Sequence, residues 1–278
     1  MKKYLAVFMA LVLALSCMVI FSSCGDNTGK TETEAPTDAA TEAGTEAGTT
    51  APDEGEKPVL KMGTNAYFQP YEFYEGEKIV GIDAEIAAAI AEELGMTLEI
   101  VDMEFDSILT AVNEGSVDFG MAGMTITDER RLEVDFSISY ANGVQSIIVK
   151  NDSPITTADD LYADGASYKV GVQLGTTGDI YATDDFGKEN VTTYSNGNEA
   201  VLALLGGSVD CVIIDNEPAK ALVAANEGLK ILDTAYANED YAICVKKGNS
   251  ELLAKIDDAI KALTKDGTIA AIVAKYIK

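Results

Sequence analysis

Short apolar runs alternate with helical repeats along residues 58–278. In the first part of this region, Ile86, Ile90 and Leu94 recur every four residues and predict a helix, with Asp83 as its expected N-cap. Apolar runs on either side of this helix predict strands at 60–64, 98–101 and 117–121. Strands and helices that alternate in this way indicate an α/β fold with largely parallel sheets.

The second part repeats the alternation. Strands are predicted at 146–150, 168–172, 211–214, 229–232 and 241–245. Helices are predicted at 158–161, from 179 onward, and at 199–205, 217–226, 250–264 (with Ser250 as N-cap) and 268–276. We therefore expect two lobes, one made of 58–147 plus 246–278 and the other of 148–245. Apolar runs at 147–151 and 242–247 are the expected crossings, which would form a hinge.

The N-terminus has the pattern of a secretory signal. Lys2 and Lys3 precede an apolar stretch from 4 to 21, and Cys24 follows two serines. Residues 1–23 are therefore predicted to be a signal peptide, and Cys24 a lipidation site. Phe21 stands where such lipoprotein signals usually have Leu, so an ordinary cleaved signal or an uncleaved anchor remains an alternative. Residues 24–57 are rich in Thr, Glu, Ala and Gly and predict a disordered tether.

Charge and composition exclude several functions. The formal net charge is −26, which argues against nucleic acid as a partner, and the chain contains no His. The absence of His excludes Ser–His and Cys–His nucleophilic catalysis and His-ligated zinc, and we expect no metal or other cofactor. Cys211 and Cys244 lie in apolar runs, where either buried free thiols or a disulfide is compatible with the pattern.

The chain has two arginines, Arg130 and Arg131, in a very acidic protein. A guanidinium can hold a carboxylate through two parallel hydrogen bonds. Gly123, Thr125 and Thr127 lie just upstream and could complete a site for an anion. The alternative is a pair of surface salt bridges at the start of a helix.

Other candidate residues fall at the ends of predicted strands. Phe68 and Phe105 lie in loops or helix starts after the first two strands, and Gly123 follows the third. Ligands of open α/β sheets bind beyond the carboxyl ends of the strands, so these residues should share one rim. Residues 175–177 precede a helix whose free N–H groups could bind an anion. Asp215 ends an apolar strand, where it could bind an ammonium group or cap the next helix.

The sequence resembles the polar-amino-acid solute-binding proteins of ABC importers over residues 58–278. The segments that carry the resemblance are 63–65, 81–86, 94–95, 122–130, 134–137, 171–177 and 214–215. The resemblance implies a two-lobed, periplasmic-binding-protein-like type II fold with two hinge crossings. It also implies a non-enzymatic, monomeric receptor that delivers an amino acid to a permease and its ATPase from outside the cytoplasm, anchored to the membrane by its lipid.

The resemblance also implies roles for individual residues. Arg130 should bind the α-carboxylate of the ligand with help from Thr125 and Thr177. Asp215 and the carbonyl of Gly123 should bind the α-ammonium group.

Four further residues should surround the ligand side chain. Phe68 and Phe105 are expected to enclose it, and Asn65 and Gln173 to lie near its tip. The two amides are neutral, so a charged tip would lack a partner, and a glutamine-like ligand is favoured. A cationic ligand such as arginine or lysine is the alternative, since Glu72 or Asp179 could reach in. A dehydratase acting on a cyclohexadienyl acid is a further alternative on the same fold.

Overall fold

A computed structural model describes residues 57–277 of the protein. The predicted signal peptide, the lipidation site at Cys24 and the predicted tether as far as residue 56 lie outside the described residues. Within 57–277, none of the helices combines the length and the apolar composition that a bilayer crossing requires.

The first sheet has five strands and belongs to the first lobe. In spatial order they are β5 (Thr97–Asp102), β1 (Val59–Thr64), β6 (Phe119–Gly120), β14 (Cys244–Lys246) and β7 (Val134–Phe136). The three strands predicted at the start of the chain are all present, and β1 pairs in parallel with both of its neighbours. β14 is antiparallel to its neighbours because the chain returns to this sheet from the second lobe.

Five helices and a small three-stranded sheet complete the first lobe. The helices are α1 (Ile82–Glu93), α2 (Ile108–Glu114), α3 (Asp128–Glu133), α7 (Ser250–Lys265) and α8 (Thr268–Tyr276). The small sheet consists of β2 (Tyr67–Phe68), β3 (Glu72–Glu75) and β4 (Lys78–Val80), which the sequence did not predict. Ile86 and Ile90 of α1 are fully buried in the core, as their four-residue spacing requires.

Two predicted helix caps are wrong. Gly81, not Asp83, is the N-cap of α1, and Asp83 lies inside the helix with a buried side chain. Its carboxylate accepts hydrogen bonds from the N–H of Gly123 at 2.8 Å and from the hydroxyl of Tyr140 at 2.7 Å. Asn249 caps α7 in place of Ser250 and accepts a hydrogen bond from the N–H of Leu252.

The second sheet belongs to the second lobe. Its order is β10 (Val191–Tyr194), β9 (Val170–Gln173), β11 (Cys211–Asp215), β8 (Ala141–Lys150) and β12 (Leu229–Ile231), and β13 (Ala237–Tyr241) also pairs with β8. Its helices are α4 (Thr177–Phe186), α5 (Gly197–Gly206) and α6 (Asn216–Ala225). The helix expected at 158–161 is a 3-10 helix, Ala158–Tyr162.

The two-lobed α/β architecture with two crossings is confirmed, but the chain changes sheet at residues other than those predicted. β8 begins at Ala141 and lies entirely in the second sheet, so the first crossing is 137–140, not 147–151. The run 241–245 is divided, because Tyr241 ends β13 and Cys244 begins β14 in the first sheet. The crossings are hydrogen-bonded to each other, with the N–H of Tyr140 donating to the carbonyl of Tyr241 at 3.0 Å.

The two cysteines of the described region are buried free thiols. Cys211 lies in β11 of the second sheet and Cys244 in β14 of the first sheet. Burial raises the pKa of each thiol to about 12. The interpretation as small buried hydrophobic residues is therefore confirmed over the disulfide.

Candidate ligand-binding site

A small cavity lies between the two lobes. Of the nine residues to which the resemblance gives a role in ligand binding, all except Thr177 line its wall. The candidates Thr127, Gly175 and Asp179 do not line it. The lining residues are Asn65, Phe68, Glu72, Phe105, Ala122, Gly123, Thr125, Arg130, Gln145, Gln173, Thr176, Ile213, Ile214 and Asp215. The carboxyl ends of β1, β9 and β11 lead to this cavity, as the rule for open α/β sheets predicts.

Arg130 is held in the cavity wall by its backbone and by two carbonyl groups. Thr127 caps α3 and accepts a hydrogen bond from the N–H of Arg130 at 3.1 Å. The guanidinium is almost fully buried, and it donates to the carbonyls of Thr125 at 2.7 Å and Gly175 at 3.0 Å. Among residues 57–277 it forms no ion pair, so the surface salt-bridge interpretation is wrong for this residue.

The electrostatic surroundings of Arg130 are unusual for a guanidinium. Burial lowers its pKa, and the negative charge of Glu239 acts in the opposite direction. The guanidinium carbon lies 5.4 Å from the ring centroid of Phe105, a distance typical of a cation–π contact. A buried cation that is bonded only to neutral groups can attract an anionic ligand strongly.

Asp215 faces the same cavity from the second lobe. It occupies the N-cap position of α6, but its carboxylate makes no capping bond, so the capping interpretation is wrong. Instead it accepts a hydrogen bond from Nε2 of Gln145 at 2.7 Å and another from the hydroxyl of Tyr241. Burial, followed by the negative charge of Glu239, raises the pKa of this carboxyl well above its usual range, and the hydrogen bond from Gln145 lowers it. A cationic ligand group would stabilise its ionised form.

Position 123 requires glycine for two reasons, its backbone conformation and the close packing of its neighbours. Its φ is +53°, a left-handed conformation that L side chains rarely adopt. A Cβ at this position would lie 2.7 Å from the ring of Phe68. Asp83 accepts the hydrogen bond from its N–H, which fixes the loop that carries Thr125 and Arg130.

The lobes are also joined by polar side chains. Nε2 of Gln173 in the second lobe donates to Oδ1 of Asn65 in the first at 2.9 Å. Nδ2 of Asn65 donates in turn to the carbonyl of Met103 at 2.8 Å. The hydroxyls of Thr125 and Thr177 are 3.5 Å apart across the cleft. Thr177 is buried and does not line the cavity, whereas the neighbouring Thr176 does.

The aromatic residues predicted around the cavity are in its wall. Phe68 stacks on Tyr71 with ring centroids 5.6 Å apart, and Tyr71 packs edge-on against Tyr241 at 5.3 Å. Phe105 begins the short 3-10 helix Phe105–Ser107 that precedes α2. The cavity thus has an apolar wall and charged groups at separate points.

The wall also contains Glu72, which the sequence analysis names as able to reach a cationic ligand, and Gln145, which it does not name. Glu72 lies in β3 and is buried, and neither of its carboxyl oxygens has a hydrogen-bond donor among the described residues. Burial, followed by the negative charge of Asp83, raises the pKa of Glu72 well above its usual range. Gln145 lies in β8, where a buried polar residue in an otherwise apolar strand segment was the available signal. Within the described residues no cluster of acids or cysteines could hold a metal ion.

A two-lobed α/β fold with a charged cleft at its hinge defines the class of solute-binding proteins that close around a ligand. The sequence profile described as "Bacterial extracellular solute-binding proteins, family 3" matches residues 60–278. The chain belongs to this family.

Relatives with known ligands support the same assignment. The chain is similar to the arginine-binding extracellular protein ArtP of Bacillus subtilis (strain 168), with 33% identity covering 80% of this chain and 88% of that protein. It is also similar to solved structures of an ancestral arginine-binding protein. The form bound to arginine shares 42% identity with a TM-score of 0.73 and covers 80% of this chain and 99% of that one. The form bound to glutamine shares 40% identity with a TM-score of 0.74 and covers 80% of this chain and 98% of that one.

Proposed function

We propose that this protein is the extracytoplasmic receptor of an ABC importer and that it closes on an amino acid, which it delivers to a permease. The observation that carries the proposal is that Arg130 and Asp215, from different lobes, line one cavity. An α-amino acid has a carboxylate and an ammonium group on the same carbon. A guanidinium and a carboxylate in one cleft match these two charges.

The site residues take the following roles in this proposal. Arg130 binds the α-carboxylate, with Thr125 and the N-terminus of α4 at Thr177 as further donors. Asp215 and the carbonyl of Gly123 bind the α-ammonium group. The remaining lining residues Asn65, Phe68, Phe105 and Gln173 surround the side chain of the ligand.

Anchoring of the receptor is part of the same proposal. A lipid on Cys24 would hold the body at the membrane next to the permease, with residues 24–57 as the tether. The support is the sequence pattern at residues 1–24 together with the extracellular family. Replacing Cys24 by Ser should release the protein from the membrane fraction into the medium.

The ligand side chain has two candidates. The neutral amides of Asn65 and Gln173 favour a glutamine-like tip, which can both donate and accept hydrogen bonds. A specific observation favours the cationic alternative, because Glu72 places a buried carboxyl in the wall of the cavity. The similarity to arginine-binding proteins supports the same alternative.

Calorimetric titration of the purified protein with each of the twenty amino acids tests the function. Saturable binding of one or a few polar amino acids is expected, and binding of none would refute the proposal. Titrations in two buffers with different ionisation enthalpies would separate the candidates. The α-ammonium group of either ligand acts on Asp215, so a cationic tip that also ionises Glu72 should release more protons on binding than a neutral tip.

A further inference from the structure

The proposed ammonium-binding acid and four residues around it lie on one face of the second sheet. Asp215 in β11 is directly opposite Gln145 in β8, and Glu239 in β13 is directly opposite Gly143 in β8. Opposed residues point to the same face of a sheet, and so do residues two apart on one strand. Gly143 and Gln145 therefore place Asp215, Glu239 and Tyr241 on the face that carries the cavity.

Gln145 joins the two acids on this face. Its Nε2 donates to Oδ2 of Asp215 at 2.7 Å and to Oε2 of Glu239 at 3.0 Å. An amide nitrogen donates two hydrogen bonds, so Nε2 can bridge the two carboxyl groups. Glu239 is buried and does not line the cavity, so its hydrogen bond towards the ligand position is made to Gln145.

We propose that Glu239 is a positioning residue for the ammonium-binding acid, and that it acts by holding Gln145 against Asp215. The inference rests on the proposed function, because it assigns a supporting group to the ammonium site of that function. Without the acceptor at Glu239, the amide of Gln145 is free to rotate away. Asp215 would then lose the donor that orients its Oδ2 oxygen.

Glu239 also acts on Asp215 through its charge, and the two effects can be separated. Burial raises the pKa of Asp215 most, and the charge of Glu239 raises it further. An uncharged acceptor at position 239 would keep Gln145 in place and make Asp215 easier to ionise. The other titratable groups near the two acids are Tyr71, Glu72, Arg130, Tyr181 and Tyr241.

Three variants test the inference. Glu239→Leu removes both the acceptor and the charge, whereas Glu239→Gln keeps an acceptor oxygen. Asp240→Asn is the matched control, because Asp240 is the next residue, carries the same charge and is exposed. Each purified protein is titrated with L-arginine and with L-glutamine between pH 4 and pH 8, and its folding is checked by circular dichroism.

The variants should behave differently from one another. At pH 7.5, Glu239→Leu should bind about tenfold more weakly than the wild type, the usual effect of losing a hydrogen bond that involves a charged group. Glu239→Gln should bind within a few-fold of the wild type at that pH. Its affinity should persist to lower pH than that of the wild type, because Asp215 stays ionised further into the acid range. If Glu239 had a purely structural role, the loss of affinity at low pH (the acid limb of the profile) would occur at the same pH as in the wild type.

A double variant isolates the contact that the inference requires. Glu239 positions Asp215 through Gln145, so adding Glu239→Leu to Gln145→Leu should weaken binding much less than Glu239→Leu does alone. The effect that remains is that of the charge of Glu239 on Asp215 and Arg130. Additive losses would overturn the inference, and so would a wild-type affinity and acid limb in both Glu239 variants. In these cases the proposed function stands, provided that the wild type binds amino acids. If the wild type bound neither L-arginine nor L-glutamine nor any other amino acid, function and inference would both be refuted.

Discussion

Arg130 in the first lobe and Gly175 in the second are joined by a hydrogen bond of 3.0 Å, from Nη2 of the guanidinium to the carbonyl oxygen. The second terminal nitrogen of the guanidinium, Nη1, donates within its own lobe to the carbonyl of Thr125 at 2.7 Å. The guanidinium thus lies where α4 of the second lobe meets the loop before α3. A carboxylate bound at this point would contact both lobes, so ligand binding and closure of the hinge should be coupled.

Replacing Arg130 by Ala should abolish tight binding. Removing one partner of a charged hydrogen-bonded contact in a closed cleft costs roughly 2–5 kcal/mol, which weakens binding by a factor of about 30 to several thousand. Calorimetric titration with L-arginine and with L-glutamine measures this loss.

Arg131 provides the matched control for this variant. It is adjacent in sequence, has the same charge and is exposed, so Arg131→Ala should bind within about twofold of the wild type. An Arg130→Ala variant with unchanged affinity would show that the carboxylate site has been assigned to the wrong residue.

Gly143 should be intolerant of any side chain. A Cβ at this position would lie 2.3 Å from Cζ and from the hydroxyl oxygen of Tyr241. Gly143→Ala should displace the ring, destabilise the protein by about 1–3 kcal/mol through overpacking, and weaken amino-acid binding as Tyr241 moves away from Asp215. Thermal unfolding and titration measure the two effects.

Gly206 is the control for this glycine. It lies at the end of α5, and a Cβ there would meet no atom within 4 Å. Gly206→Ala should leave stability unchanged or slightly raised, because Ala favours the helix. Equal unfolding temperatures for Gly143→Ala and Gly206→Ala would contradict the close packing at Gly143.

Parts of the site that depend on local sequence could be predicted. Arg130 was identified from the scarcity of arginine in an acidic chain, and Asp215 from its place at the end of an apolar strand. Both lie in the cavity wall. The first strands and helices were also predicted, because their apolar periodicity reflects which face each element buries.

Parts that depend on strand register could not be predicted. Gln145 and Glu239 are far apart in sequence and meet only because β8 pairs with β13. The start of β8 was missed for a related reason. Gln145 faces the cleft and Asn142, on the opposite face, is exposed, so both are polar and the apolar pattern that marks a strand is absent.

Asp83 should make stability depend on pH. Burial raises its pKa from 3.8 to about 6, against the hydrogen bonds from Gly123 and Tyr140, which lower it. Between these values the folded protein binds a proton that the unfolded chain has lost, so the free energy of unfolding falls as pH rises from about 4 to about 6. The decrease from this residue is about 3 kcal/mol at most. Urea unfolding across this pH range measures it.

Asp83→Asn removes the titration of Asp83 and, with its charge, part of what raises the pKa of Glu72. The amide oxygen can still accept the bonds from Gly123 and Tyr140, but the side chain no longer titrates. Glu72 and Asp215 also have raised pKa values, so the variant should retain part of the pH dependence and lose the part that belongs to Asp83. A variant with the same slope as the wild type would show that Asp83 does not titrate in this range.

The variant Glu72→Gln should distinguish a cationic ligand from a neutral one. In Glu72→Gln an amide replaces the buried carboxyl, so no negative charge can form beside a cationic tip. If the ligand is cationic, the affinity for L-arginine should fall by roughly 2–3 kcal/mol, about 30-fold to 150-fold, and the part of the proton release that belongs to Glu72 should disappear. The affinity for L-glutamine should change little, because an amide tip can hydrogen-bond to another amide.

Glu104→Gln is the control, since Glu104 is an acid outside the cavity wall. Equal losses for the two amino acids in Glu72→Gln would mean that Glu72 supports the wall of the cavity without selecting the charge of the ligand.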